Sequence, residues 1–378
     1  MKKKRARSEK SSMKQPRVKP RVKSRVKFIP IKLIPWLASF ICALLIFFLT
    51  EHHDLEVIKP GEPPVLYANV CQDDLEKLFT EAIQGAEQSV FLVIYSLSDQ
   101  KLIRALNSQA EKGLNVTVMH DVSTHQTGFQ KLSTHIENVG IKRSGLMHQK
   151  ILVVDAHKVW IGSANMTTDS LKVHDNLVVG VIDHDLASAI LCEQPFALLN
   201  IGGQKVEYWD FPKKGKEGVQ RLVDLIDGAR KTIKVAMFTW THPDLTAAVI
   251  RAHKRGVKVQ IVHDKGQAVG VCIDTITRLS QSGIDIRLSS GLGLLHHKFA
   301  WIDNQILVNG SANWTLSAFS RNRDCFLILH TLTTIQNAKL KEVWERTFRL
   351  MNKEHLSVFR QGPTGVRDHE LKSIRMAA

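Results

Sequence analysis

The sequence contains the same set of polar residues twice at one spacing. Residues 147–166 read MHQKILVVDAHKVWIGSANM, and residues 295–314 read LHHKFAWIDNQILVNGSANW. Both fit the pattern HxK, four residues, D, six residues, GSxN, and the copies are offset by 148 residues. A fixed offset of that size indicates a duplicated domain and not a solenoid of short repeats. The fixed positions are His148, Lys150, Asp155, Gly162, Ser163, Asn165, His296, Lys298, Asp303, Gly310, Ser311 and Asn313.

The duplication extends upstream at a smaller offset. Segments 89–121 and 232–264 match at an offset of 143 residues, and Gly140 matches Gly283 at the same offset. The change to 148 therefore predicts five additional residues of the second half in LSSGLGLL, just before His296.

Each half reads as alternating strands and helices. In the first half, residues 90–95 form an apolar run of strand length, residues 100–113 have helical spacing that ends at glycine, and residues 114–121 form a strand again. The second half repeats this order. Strand, helix, strand units favour a largely parallel sheet covered by helices, so the sequence predicts an α/β fold with two similar α-β-α lobes.

The motif predicts a site for an anion. His148 and Lys150 are two residues apart on a strand, so they share a face. A hairpin would return the chain and bring Ser163 and Asn165 close to them. The helix predicted after the Gly-Ser turn has free N–H groups that favour an anion. Each half would thus offer an imidazole, an ammonium group and polar side chains to one phosphate.

This double motif resembles the signature of the phospholipase D superfamily. The resemblance covers residues 65 to 350, and both copies match at all fixed positions. The second half, with HHKFAWID and GSANWT, is similar to the branch of mitochondrial cardiolipin hydrolases and piRNA-pathway endonucleases. The first half is similar to the bacterial nuclease and phospholipase branch. Such relatives often carry one motif and dimerise, so two copies in one chain imply that a monomer builds the whole site.

The resemblance implies cleavage of a phosphodiester through a phosphohistidine, with no metal or cofactor. His148 is the expected nucleophile, and His296 the expected general acid and base. Asp155 and Asp303 belong to the motif, and we expect them to hold its structure and not to touch substrate. The candidate catalytic set is His148, Lys150, Asp155, His296, Lys298 and Asp303. The candidate phosphate-binding set is Ser163, Asn165, Ser311 and Asn313.

Two further aspartates are candidates for orienting the histidines. Asp175 and Asp324 follow Asn165 and Asn313 by 10 and 11 positions. Family members often have a glutamate there that orients a histidine. His297, His120 and His263 read as structural, and the five cysteines show no close pairing of the zinc type. We therefore expect no metal site.

The N-terminus is a separate module. Residues 1–32 hold 14 Lys or Arg and one Glu, a net charge of +13, which leaves +3 for the rest of the chain. Residues 33–50 carry no charge, and an 18-residue helix spans roughly 27 Å, close to a bilayer core of about 30 Å. A signal anchor is favoured, and a secreted protein with a cleaved signal peptide is the alternative. The basic flank predicts a cytoplasmic N-terminus and exported catalytic lobes, periplasmic or lumenal.

The predicted organisation has six segments. They are a basic cytoplasmic tail at 1–32, a transmembrane signal anchor at 33–50, a linker at 51–64, a first lobe at 65–203, a second lobe at 204–355 and a polar tail at 356–378.

Three activities fit the predicted site. Hydrolysis of a phospholipid head group to phosphatidic acid is the main hypothesis, with phospholipid and membrane as partners and a monomer as the active form. A nuclease on single-stranded nucleic acid and a cardiolipin synthase-type phosphatidyltransferase are the alternatives. A non-catalytic scaffold fits least, because no motif residue is missing. Lipid is favoured by the small charge after residue 32 and by Leu292, Leu294 and Leu295 beside His296.

The charge pattern predicts a topology that can be measured. A reporter that works only in an oxidising compartment, fused after Ala378, is expected to be active, because the +13 flank should stay in the cytoplasm. A reporter that is active only in the cytoplasm would reverse the predicted orientation.

Overall fold

The computed structural model describes residues 55–124, 127–289 and 293–349. The predicted basic tail, membrane span and polar tail lie outside the described residues, as do residues 51–54 of the predicted linker. Within the described ranges, no helix is long and apolar enough to cross a membrane.

The first half of the chain forms a seven-stranded mixed sheet. Its order is β1-β7-β6-β5-β2-β3-β4; β2, β3 and β4 are parallel, and the remaining pairs are antiparallel. The prediction of a largely parallel sheet holds only for the strands before the motif, because the motif itself is the hairpin β5–β6. The strands are β1 Val65–Ala68, β2 Ser89–Ile94, β3 Asn115–Asp121, β4 Glu137–Ile141, β5 Lys150–Val154, β6 Lys158–Gly162 and β7 Leu177–Ile182.

The second half repeats this sheet and adds one strand. Its order is β12-β11-β10-β13-β14-β15-β9-β8, with β10, β11 and β12 parallel. The extra strand β8 pairs with β9, so the boundary predicted at residue 203 falls inside a hairpin of the second sheet. The strands are β8 Phe196–Ile201, β9 Gln204–Asp210, β10 Thr232–Met237, β11 Lys258–His263, β12 Asp285–Leu288, β13 Lys298–Ile302, β14 Ile306–Gly310 and β15 Cys325–Leu329.

Two equivalent helices, Thr168–Lys172 and Leu316–Ser320, begin at threonine caps that the duplication repeats. Thr167 accepts a hydrogen bond from the backbone N–H of Ser170, and Thr315 accepts one from that of Ala318. The helices are α1 Leu75–Gln84, α2 Gln100–Glu111, α3 Thr168–Lys172, α4 His184–Leu191, α5 Gly215–Gly228, α6 Pro243–Lys254, α7 Lys265–Ala268, α8 Ile273–Gln281, α9 Leu316–Ser320 and α10 Thr334–Arg349.

The two sheets pack face to face. Helices α1, α2, α5 and α6 cover their outer faces, whereas α4 and α10 pack against the apolar layer between them. Successive strand residues point to opposite faces, so Leu92 packs under α1 and α2 while Val93 belongs to a core shared by both sheets. In the second sheet, Val235 packs under α5 and α6, and Ala236 joins the shared core. The α/β prediction is therefore confirmed as a mixed fold with two sheets. The lobes are joined by one common apolar layer.

The five additional residues of the second half do not lie beside His296. His120 pairs with Gly140 across β3 and β4, whereas His263 pairs with Leu288 across β11 and β12. Gly140 is thus equivalent to Leu288, at an offset of 148. The match of Gly140 with Gly283 was misleading, because the additional residues precede β12, in the segment that holds α7 and α8. The loops that lead to the two motif histidines have equal lengths.

Asp155 and Asp303 occupy the turns of the two motif hairpins. Both have a φ of 53°, in the left-handed region that aspartate tolerates. Asp155 accepts hydrogen bonds from three successive backbone N–H groups, and Asp303 accepts three more. Each lies seven positions along extended chain from its histidine, roughly 20 Å. A catalytic role for them has no support in these contacts and stays a prediction, whereas the expectation that they hold structure agrees with the contacts.

Substitution of a turn carboxylate is expected to lower the stability of the fold and not the rate of the reaction. Asp303→Ala leaves three backbone donors without their acceptor, so the free energy of unfolding should fall by about 1–3 kcal/mol in urea titrations. Asp303→Asn, which keeps an acceptor and tolerates positive φ, should lose less. Turnover by folded protein should change little. If stability is unchanged and turnover is abolished, Asp303 takes part in the reaction.

Candidate active site

The two motif histidines lie where the halves exchange backbone hydrogen bonds. The N–H of His148 donates to the carbonyl of Arg323 at 2.8 Å, and the N–H of His296 donates to the carbonyl of Asp175 at 3.0 Å. Each histidine thus enters its strand while bonded to the segment that follows the other motif. Both motifs therefore contribute to one site between the sheets.

Each imidazole is held by a side chain from the other half. Nδ1 of His148 lies 2.8 Å from Oδ1 of Asp324, and Nδ1 of His296 lies 3.1 Å from Oδ1 of Asn176. The placement of Asp324 agrees with an orienting role. The same role assigned to Asp175 is wrong, because the neighbouring amide occupies that place.

The constant spacing of the repeat could have identified Asn176. Asn176 follows Asn165 by 11 residues, as Asp324 follows Asn313. Asp175 was predicted instead, because family members often have a carboxylate at this place. Asp175 contributes its backbone to the crossing, and burial raises the pKa of its carboxyl to about 6.

The two motif serines lie behind the histidines. Ser163 and Ser311 are fully buried. The hydroxyl of Ser163 donates to Asn176 at 2.8 Å, and that of Ser311 donates to Asp324 at 2.7 Å. Each hydroxyl also accepts a backbone N–H. The serines therefore fix the orienting residues, and phosphate binding by them stays a prediction that these contacts do not support.

The hydrogen-bond network determines the tautomer of both rings. The amide nitrogen of Asn176 donates to the carbonyl of Ser170 at 2.8 Å, so its oxygen is the atom that faces His296. An amide oxygen or a carboxylate can only accept, and Nδ1 of each ring must therefore carry the hydrogen. In each neutral ring, Nε2 then holds the lone pair. Nε2 is therefore the atom that can attack phosphorus or take a proton.

The two motif lysines are buried beside the histidines. The Nζ of each donates to the carbonyl oxygen of the histidine two residues before it. Lys150 lies 5.4 Å from the ring centroid of Tyr95, and Lys298 lies 5.0 Å from that of Phe238. Burial lowers the pKa of Lys150 to about 7 and that of Lys298 well below its ordinary value. A bound phosphate would favour the charged forms.

The aromatic pair was not predicted from the sequence. Tyr95 packs edge-on against His148, with ring centroids 5.2 Å apart, and Phe238 packs in the same way against His296 at 5.0 Å. The two residues are 143 positions apart, so the upstream repeat could have identified them as equivalent. They limit the freedom of the imidazole rings and exclude water from one side.

The motif asparagines remain partly exposed, unlike the serines. Oδ1 of Asn313 accepts the backbone N–H of Thr239 at 3.3 Å, while Oδ1 of Asn165 is buried without a partner among the described residues. The helices that follow, α3 and α9, have five residues each and are capped by threonine side chains. The expected anion site at a helix N-terminus is therefore not supported, and the positive charge at this site comes from the lysines.

The electrostatics of the two histidines differ. Burial and Lys150 lower the pKa of His148, while the Asp324 carboxylate raises it. Burial, Lys298 and Lys150 lower the pKa of His296 well below its ordinary value, and its Nδ1 faces the amide oxygen of Asn176 instead of a carboxylate. His148 is therefore the ring whose cation is stabilised by a neighbouring negative charge.

Three other described histidines have contacts within the fold. His297 is fully buried, and burial lowers its pKa to about 3. His263 hydrogen-bonds the carbonyl of Asp264, and His120 stacks on Phe129. Within the described part of the chain, the cysteines are free thiols and no three His, Cys, Asp or Glu side chains cluster as metal ligands would.

Known proteins are similar to this chain in sequence and in fold. The family model described as "Cardiolipin synthase, PLD-like domain" matches residues 79–194 and 222–348, more than half of the chain. This chain belongs to that PLD-like family. The resemblance to the phospholipase D superfamily is thereby confirmed.

The similar proteins differ in how much of this chain they cover. "Mitochondrial cardiolipin hydrolase" of Canis lupus familiaris is 31% identical over 157 residues, 40% of this chain and 58% of that protein. "Phospholipase D" of Rickettsia prowazekii is 30% identical over 30% of this chain and 58% of that protein. The chain thus spans somewhat over half the length of these relatives. The phosphatidylserine synthase of Haemophilus influenzae shares the fold, with a TM-score of 0.64 at 12% identity over 85% of this chain and 94% of that one.

The unequal orienting residues predict opposite shifts in two variants. Asp324→Asn removes the charge that raises the pKa of His148, so this histidine should titrate at still lower pH. Asn176→Asp places a carboxylate against His296 and should raise its pKa. Imidazole NMR titrations report both directly. Asp224→Asn, on the outer helix α5, is the charge-matched control. Absence of a shift in both site variants would contradict the two Nδ1 contacts.

Proposed function

We propose that this protein is a phospholipase D-type phosphodiesterase that hydrolyses a phospholipid head group and leaves phosphatidic acid. The observation that carries the proposal is the crossed arrangement of His148 and His296, with Nδ1 of each ring held and two buried lysines beside them. Membership of the PLD-like family supports the same reaction class. Relatives named cardiolipin hydrolase and phospholipase D support a lipid substrate.

In the first step, His148 attacks phosphorus through Nε2. A P–N bond forms, the P–O bond of the leaving alcohol breaks, and the proton on Nε2 of His296 passes to the leaving oxygen. The phosphohistidine keeps its hydrogen on Nδ1 and is cationic. Asp324 lies against that nitrogen and stabilises the charge. This contact favours His148 as the nucleophile.

In the second step, water displaces His148 from phosphorus. His296 takes a proton from water through Nε2, the water oxygen bonds to phosphorus, and the P–N bond breaks. His296 has an amide neighbour instead of a carboxylate, so its cation gives up a proton readily in the first step. Negative charge on the bound phosphodiester supplies the stabilisation that this cation needs.

The remaining polar side chains offset the charge on the phosphate oxygens. Lys150 and Lys298 supply positive charge in a buried site, where it acts more strongly than in water. Asn165 and Asn313 supply amide groups at the partly exposed edge. The family resemblance includes no metal, and these side chains provide the stabilisation instead.

A lipid surface is the proposed partner, and the monomer is the proposed active form. Leu294 is 40% exposed two residues before His296, which supports contact with acyl chains. Leu295 does not support it, because this residue is fully buried in the core between the sheets, and Leu292 lies outside the described residues. The uncharged segment 33–50 supports attachment to the membrane through a single span. Both histidines come from one chain, which supports an active monomer.

The test separates the roles of the two histidines. His148→Ala and His296→Ala should each lower hydrolysis of phospholipid vesicles by at least about 100-fold, the usual contribution of a general acid–base group. A p-nitrophenyl phosphodiester needs no general acid for its leaving group. With it, His296→Ala should release one equivalent of p-nitrophenol and accumulate a phosphohistidine visible by mass spectrometry, while His148→Ala should release none.

The exposed His135→Ala serves as the matched control and should keep the wild-type rate. If either site variant retains more than about a tenth of the rate, the two motifs do not serve one site. Phosphohistidine in His148→Ala would exchange the two roles.

A further inference from the structure

The second half contains a cavity in its outer helical layer. It has a volume of about 540 Å³ and lies between α5, α6 and α9. Pockets that bind small molecules usually measure roughly 300–1,000 Å³. None of the described lining residues belongs to the site around His148 and His296. The cavity is therefore a separate place, and the duplication allows it to be compared with the equivalent place of the first half.

In the first half, polar side chains close the equivalent place. Glu76 of α1 is 4% exposed and forms ion pairs with Lys101 of α2 and with Lys172 of α3, the latter at 2.8 Å. Asp99, at the start of α2, accepts the hydroxyl hydrogen of Thr168 at 2.7 Å. These contacts join the three helices at one point.

The second half replaces all five of these residues, and every replacement lines the cavity. The replacements, at offsets of 143 or 148 residues, are Val219, Asp244, His242, Leu316 and Ser320. Neither the ion pairs nor the carboxylate–hydroxyl bond of the first half can form among these side chains. The cavity is therefore a consequence of side-chain replacement within a repeated arrangement of helices.

The buried ring of His242 lines this cavity without a partner. His242 is 4% exposed, and its Nδ1 is buried with no hydrogen bond among the described residues. The ring of Phe319 packs against it at an angle of 87°, with centroids 5.7 Å apart. Burial lowers the pKa of His242, so the ring is neutral at neutral pH and carries one N–H. A buried polar group without a partner is costly, and a ligand that bonds it removes that cost.

The start of α6 lacks the cap that its equivalent has. In the first half, the Asp99 carboxylate accepts the backbone N–H groups of Lys101 and Leu102, at 3.0 Å and 3.2 Å. His242 occupies the same position before α6 and makes no side-chain cap hydrogen bond. The free N–H groups in the first turn of a helix favour an acceptor that carries negative charge. The second half therefore leaves open a place that a carboxylate occupies in the first half.

The rest of the lining suits an apolar body. The apolar lining residues are Val219, Val223, Ala247, Leu316 and Phe319. The charged lining residues, Lys216, Asp244 and Arg251, are exposed, and Arg251 pairs with Asp227 at 2.6 Å. The charges of the lining thus nearly cancel, and the start of α6 is the part of the cavity that favours an anion.

We propose that this cavity binds a small amphiphilic carboxylate, with its apolar body between α5 and α9 and its carboxylate at the start of α6 beside His242. The carboxylate takes the place that the Asp99 side chain has in the first half, and it accepts the first-turn N–H groups and the N–H of the His242 ring. The apolar body covers Val219, which stands where Glu76 stands in the first half. Binding there does not depend on the proposed phosphodiesterase activity, because the lining is separate from the active site.

Isothermal titration calorimetry of the full chain with octanoate, below its critical micelle concentration, tests this site. The wild type should bind one equivalent. The double variant His242→Asp/Leu316→Thr recreates the pair that Asp99 and Thr168 form, so the protein's own carboxylate caps α6 and octanoate should bind at least about ten-fold more weakly. His242→Phe keeps an aromatic ring but removes its N–H, and a loss of about ten-fold is expected for one hydrogen bond to a charged group.

The exposed His135→Asp, in the first half, is the charge-matched control and should bind octanoate as the wild type does. Octylamine, which has the same apolar body and the opposite charge, should bind at least about ten-fold more weakly than octanoate. If circular dichroism shows that the double variant does not fold, His242→Phe and octylamine decide the result. A wild type that does not bind octanoate, an affinity that His242→Phe leaves unchanged, or tighter binding of octylamine would overturn the proposal.

Discussion

The hydrogen bonds that cross between the halves determine the rest of the site. His148 depends on Asp324, and His296 depends on Asn176, so neither half contains a complete histidine pair with its orienting residues. The apolar layer shared by the two sheets keeps these partners in register. Because protein interiors are close-packed, a shift of one sheet against the other would be felt at both rings at once. The packing between the sheets therefore determines the positions of both imidazole rings.

The sequence predicted the elements that repeat and missed those that depend on which way a side chain faces. His148 and Lys150 were found because the same HxK pattern recurs in the second half at a fixed offset. The spacing could not show that Ser163 lies behind the rings and Asn165 at the edge, since that depends on how the chain leaves β6. Asn176 was missed because an amide was not expected where a carboxylate is usual. The matching glycines misplaced the insertion, which only strand register could locate.

The difference between Asp324 and Asn176 gives two similar imidazoles different properties. Both rings are buried, which disfavours their cations. One keeps a neighbouring negative charge, and the other has only the oxygen of an amide. An acid and a nucleophile need opposite proton affinities at the same pH, and a change of one side chain is enough to separate them. The serines behind them hold both orienting groups by the same hydrogen bond.

The joining of both halves in one chain has an evolutionary consequence. In a symmetric dimer of identical subunits, any substitution appears on both sides of the axis, so both orienting groups and both entrances must stay alike. A fused pair is free of that requirement. Asp324 can differ from Asn176, and KRSGL at 142–146 can differ from SGLGL at 290–294, without a matching change in the other half. Duplication thus converts a site with two interchangeable directions of entry into one that can distinguish the two ends of its substrate.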